Sequence, residues 1–158
     1  MIGAGLDYMA AQWPASKSWP VAGGGFSGGA KRSGFIAAAL AKQGRKVIGM
    51  LMGGCNEDIA SEGLHTYRPP ASQFRQVPIF LSSGTNDTIA TPQHHDRVAQ
   101  SMKGSGFRRV KIESFPGAHD VYPQHTSAAL QWVLAESTGT PAATPTPKSA
   151  LDSFFKKP

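Results

Sequence analysis

Gly25-Phe26-Ser27-Gly28-Gly29 sets a serine among small residues at the spacing G-x-S-x-G, after the apolar run Trp19-Pro20-Val21-Ala22 and before a segment of helical character. A serine hydroxyl becomes a nucleophile only when a base takes its proton, and the base needs an acid to orient it and stabilise its charged form. Two later segments offer those groups. Asp87 lies in Gly84-Thr85-Asn86-Asp87, and His119 lies in Pro116-Gly117-Ala118-His119, each just past an apolar run. A glycine-rich structural loop competes with the nucleophile reading, and Asn86-Asp87 is also ordinary turn chemistry. Three segments in the order Ser, Asp, His carry more weight than any one alone.

To act together, these residues must share one end of a sheet, and the flanking pattern provides one. Lys46–Met52 is a continuous apolar run, the profile of a strand covered on both faces. Val77–Leu81 and Val110–Phe115 are two further strands, and Trp19–Ala22 is the first. Helices are expected over residues 3–12, from Ala30 to a stop at Gly44, from Thr91-Pro92 to about Lys103, and over 124–136, the last with Leu130, Val133 and Leu134 facing inward. Residues 53–76 show no clear period and read as a long loop with one helical turn. Strands alternating with helices predict an α/β class, a parallel sheet of about four strands with helices on both faces.

With the elements placed, the chain resembles the α/β-hydrolase superfamily over about residues 3–136. The resemblance rests on the elbow, the G-T-N-D-x-x-x-x-P stretch from Gly84 to Pro92, and Phe115-Pro116-Gly117-Ala118-His119. G-F-S-G-G-A resembles the dienelactone-hydrolase, feruloyl-esterase and polyhydroxyalkanoate-depolymerase branches more than it does lipases. The resemblance implies ester hydrolysis through an acyl-serine, with Ser27 attacking, His119 moving the proton, Asp87 orienting it, and the Gly28 N–H in the oxyanion hole. It implies no cofactor. Glu57 and Asp58 are alternative acids, because some relatives place the acid after the preceding strand. Phe26, Tyr67 and Tyr122 are candidates for lining the substrate pocket, or for ordinary core packing. About twenty residues precede the nucleophile where the family has several strands, so the expectation is a shortened fold lacking the N-terminal strands. That would expose the nucleophile strand as an edge, open to a second copy of the chain, and would remove a second oxyanion donor. A truncated, weakly active or inactive relative that needs a partner, or a basic binding module, are the competing functions.

Composition narrows the rest. The chain of 158 residues, 40% hydrophobic, suits one domain, with 1–136 as its body and the Thr/Ala/Pro-rich 137–158 as a flexible tail whose Ala150–Phe155 is apolar enough to dock. Net charge is +6, but the basic residues are scattered, with Lys31-Arg32, Arg108-Arg109 and Lys156-Lys157 as adjacent pairs. That argues against nucleic acid as a partner, and the resemblance implies a small-molecule or polymeric ester as substrate. No apolar run approaches the roughly 18 residues of a membrane span, and no signal sequence is visible, so the compartment stays open. The single cysteine, Cys55, follows an apolar run and reads as a buried, inert thiol. His94 and His95 read as surface residues of a helix, His125 lies close to the last helix, His65 is a further competitor, and no ligand spacing supports a metal site.

Overall fold

Strand and helix segments alternate along the chain in the computed structural model, which describes residues 2–138. α1 (Ile2–Gln12) and a 3-10 turn (Pro14–Ser18) lead into β1 (Val21–Phe26) and α2 (Gly28–Lys42). Then follow β2 (Val47–Gly53), α3 (Ile59–Tyr67), α4 (Ala71–Phe74), β3 (Ile79–Gly84), α5 (Pro92–Gly104), β4 (Val110–Phe115) and α6 (Pro123–Thr138). All strand pairings are parallel, in the order β1-β2-β3-β4. The segment from residue 139, with most of the expected tail and its apolar 150–155 stretch, lies outside the described residues; α6 itself takes in Ser137 and Thr138.

Helices cover both faces because β2 alternates between them. A side chain at Gly49 would run into Val133 of α6, while the end of Met52 reaches Gly34 of α2 on the opposite face. The main core, including Met50, Met52, Ile79 and Leu81 of the strands and Ala37, Ile59, Val98 and Met102 of the helices, fills the α2, α3 and α5 side. β3, flanked on both sides, is buried along nearly its whole length.

Three local readings change. Residues 53–76 hold two helices rather than a loop: Asp58 caps α3 by accepting from Ser61 N at 3.0 Å, and α3 buries Ile59, Ala60, Gly63 and Leu64. Small residues obscured its apolar period, since Ala60 is fully buried and Gly63 packs against Gly34 and Ala38 of α2 without either being strongly hydrophobic. In α6, Val133 and Ala129 face inward, whereas Leu130 and Leu134 are 44% and 52% exposed, so the helix is turned to seat small side chains against the sheet. β1 runs through Gly23, Gly24 and Gly25, which are strand residues rather than part of the turn.

Candidate active site

The segment around Ser27 is a strained turn. Ser27 has φ 52° and ψ −121°, an unusual conformation for a residue with a side chain, between the end of β1 and the first residue of α2. Its backbone N–H donates to Gly53 O at 2.8 Å, which locks the turn to the end of β2. Gly25 must lack a side chain, because a β-carbon there would lie 2.3 Å from the carbonyl carbon of Gly29. Gly29 itself faces open space, so the close approach falls on one glycine of the pair. The N–H groups of Gly28 and Gly29 begin a helix of 15 residues and have no earlier helical carbonyl to bind, leaving donors and the positive end of the helix dipole beside Ser27.

The acid and histidine are joined. His119 Nδ1 lies 2.7 Å from Asp87 Oδ2. Asp87 is buried, and its other oxygen accepts from the N–H groups of Ile89 and Ala90, both at 2.8 Å. Burial works to raise the Asp87 carboxyl, but the hydrogen bonds from His119 and the two backbone amides outweigh it and hold the group below its ordinary range. Asp87 is therefore an anion that fixes the proton of His119 on Nδ1 and leaves Nε2 as the acceptor. The two loops are also tied through backbone: Thr85 N donates to Phe115 O at 2.9 Å and Asn86 N to Gly117 O at 2.8 Å.

His119 sits over the end of β1. Its ring centroid is 4.6 Å from that of Phe26, the residue before Ser27. Gly54, at φ +57°, allows this approach: a β-carbon there would stand 2.8 Å from His119 Cε1. Among the described residues Ser27 Oγ makes no hydrogen bond, so the link from hydroxyl to imidazole is open in this structure; such contacts are often long before substrate arrives.

The alternative acids are engaged elsewhere. Glu57 pairs with Lys31, and Asp58 caps α3. Phe26 and Tyr122 line one cavity together, whereas Tyr67 packs edge-on against Phe35, 40% exposed, and does not border it. Cys55 is fully buried with its thiol 3.2 Å from Glu57 O, and burial pushes its pKa up. His95 is not a surface residue: it is fully buried, with Nδ1 3.2 Å from Thr91 O, while His94 completes a capping box with Thr91. Its burial was hidden because a polar residue adjoining another histidine carries no apolar periodicity.

Sequence reasoning passed over Gly54, the Ile89 and Ala90 amides, and the contact of His125 Nδ1 with Ser82 Oγ at 2.8 Å. Gly54 had a visible signal as the second of two glycines at a strand end; the others arise only from packing. Among the described residues no group of three or more His, Cys, Asp or Glu is placed to hold a metal, and no helix is long and apolar enough to cross a membrane.

A four-stranded parallel sheet with an elbow after its first strand and the acid and histidine beyond the last two is a shortened α/β-hydrolase fold. Solved structures agree. Acyl-protein thioesterase 2 from Zea mays superposes with a TM-score of 0.59 at 20% identity, covering 85% of this chain and 62% of its own. A cold-adapted esterase from an Arctic intertidal metagenomic library gives 0.55 at 20% identity, with 87% and 55% covered. Esterase Pf2001 of Pyrococcus furiosus gives 0.52 at 15% identity, with 84% and 59% covered. The chain thus spans somewhat over half the length of these proteins. No protein-family profile and no curated protein sequence matches it.

Proposed function

We propose that this chain is a serine hydrolase that cleaves carboxylic esters through an acyl-serine intermediate. The observation that carries this reading is the pair of buried Asp87 and part-buried His119, 2.7 Å apart, with the imidazole tilted against the ring of the residue that precedes a strained serine. In the proposed reaction Ser27 Oγ attacks the ester carbonyl while its proton passes to His119 Nε2. The oxyanion is met by the Gly28 N–H at the start of α2. Collapse expels the alcohol, which takes the proton from His119, and water then attacks the acyl-serine with His119 again as base. Asp87 stays ionised throughout and stabilises the imidazolium. The esterases and thioesterases among the structural neighbours support hydrolase chemistry.

Labelling by a fluorophosphonate probe tests the reading. Wild type is expected to be labelled, and Ser27→Ala to lose both the label and p-nitrophenyl ester hydrolysis; equal hydrolysis by the two proteins would remove the proposal.

A second reading is that activity stays low until another chain covers β1. What favours it is that no strand among the described residues pairs with the outer edge of β1. Unpaired edges recruit strands, and one missing oxyanion donor costs about 10²–10³ in rate. A second copy of this chain is the proposed cover. Activity per molecule that rises with protein concentration, in step with a dimer on size exclusion, is the expected sign; activity constant across a hundredfold dilution would rule it out.

A further inference from the structure

Along the chain the basic residues are scattered, but the fold gathers many of them at one end. All four strands are parallel, so the segments that lead into them share the end of the sheet opposite Ser27 and His119. Each of these segments carries a cation: Lys17 before β1, Arg45 and Lys46 before β2, Arg75 before β3, and Arg108 and Arg109 before β4. Hydrogen bonds tie neighbouring segments together. Arg45 Nη1 donates to Ser16 O at 2.8 Å and to Lys17 O at 2.7 Å, and Val21 N donates to Lys46 O at 2.9 Å. Farther across, Arg108 N donates to Arg75 O at 3.3 Å, and Arg75 Nε to Ser105 O at 2.8 Å. A cavity of about 360 Å³ joins the two groups, bordered by Arg45 and Lys46 on one side and by Gln73 and Phe74, next to Arg75, on the other.

Helix dipoles account for part of this charge. Lys42 and Lys103 stand in the last turns of α2 and α5, where the carbonyl ends favour a cation. Lys46 and Arg108 lie outside any helix and are exposed. Carboxylates gather at the other end, since Glu57, Asp58, Asp87 and Asp120 all follow strands. At the basic end Glu136 is taken up by Arg109, whose Nε lies 3.5 Å from its carboxylate. Two further features give the chemistry of a partner. Trp13 and Trp19 flank the 3-10 turn that holds Lys17 and are 61% and 52% exposed, and indole rings favour the boundary between water and lipid. Arg109 Nη1 also donates to Glu136 O at 2.6 Å, so α6 ends at this face and the chain beyond it starts from here. That sequence holds Lys148, Leu151, Phe154, Phe155, Lys156 and Lys157, apolar and cationic residues side by side.

We propose that the end of the sheet where the strands begin binds an anionic lipid surface, as a peripheral contact that anchors the chain without crossing the bilayer. Such a surface meets the cations, the indoles and the apolar side chains at once, across a broad end rather than in a groove. Bound this way, the chain turns Ser27, Asp87 and His119 toward water, so the bilayer is an anchor and the substrate comes from solution. The inference does not depend on the hydrolase reading.

Flotation of the full chain with vesicles of phosphatidylcholine, with and without phosphatidylserine, tests this, and a single-stranded RNA serves as the competing polyanion. Wild type is expected to float with the phosphatidylserine vesicles, to stay behind with the neutral ones, and to be released as salt rises. Lys46→Glu and Arg108→Glu should each weaken binding about tenfold, since one cation near an anionic surface is worth roughly a factor of five and reversal costs more. Arg97→Glu makes the same change of net charge in the middle of α5 and should cost less than about threefold, because the field of the headgroups fades within a Debye length. Thermal unfolding establishes that each variant is folded. Failure of wild type to float with phosphatidylserine vesicles, or a loss in Arg97→Glu equal to that in Lys46→Glu and Arg108→Glu, overturns the proposal. Tighter binding to the RNA than to the vesicles at equal phosphate concentration also overturns it, in favour of a nucleic acid.

Discussion

β3 and β1 both end at groups of the proposed reaction, yet they are supported in different ways. β3 has a strand on either side, is buried along nearly its whole length, and passes into a turn where Asp87 is held by one histidine and two backbone amides. β1 has a strand on one side only, three consecutive glycines in place of packing side chains, and a serine in a strained conformation at its tip. Ser27 N bonds to Gly53 O and Val21 N to Lys46 O, so alternation turns Ala22 and Gly24 toward the open edge. The Asp87–His119 end can be rigid by its own contacts; the Ser27 end depends on β2, on α2 and on whatever meets its free side.

The largest expected effects lie at the rigid end. Asp87→Asn keeps the shape but removes the charge that fixes the His119 tautomer, and should lower kcat by about 10⁴, measured on p-nitrophenyl butyrate. A loss below tenfold would mean that the Asp87–His119 pair is a structural tie. Next in size is a contrast in hydrogen exchange. Amides of Phe80, Leu81 and Ser83 in β3 should exchange orders of magnitude more slowly than those of Ala22 and Gly24, and equal protection would indicate that the β1 edge is covered in solution.

Acid provides a third way to separate the regions. Burial above all holds His95 and His125 below the ordinary imidazole range. Both are therefore neutral in the fold while the unfolded chain takes up protons below about pH 6.5, so stability is complete above that value and falls as pH drops. Asp87 acts in the same direction lower down: its depressed carboxyl contributes stability above about pH 4 that is lost as pH falls through the folded value. Thermal unfolding between pH 7.5 and 5 should show this decline, and His95→Gln should flatten it; an unchanged slope would assign the decline to His125 or elsewhere. The smallest effect belongs to α6. Leu134→Ala should change stability by less than about 0.5 kcal/mol, against about 1–3 kcal/mol for the buried Val133→Ala, both read by urea denaturation.

The sequence by itself determined the strand and helix alternation, the elbow and the order of the three proposed groups, because each of these is local. Apolar runs specify strands, glycine at 25 permits the turn, and Asp87 and His119 stand within a few residues of strand ends. Tertiary structure alone decided which carboxylate meets which imidazole, since Asp87 and His119 are 32 positions apart and Asp58 stood as an alternative until it proved to cap a helix. It also decided the burial of His95, the facing of α6, and the parting of Tyr67 from Phe26 and Tyr122. These depend on rotation and packing between elements distant along the chain, and no short-range pattern of residue types encodes the angle at which two finished surfaces meet.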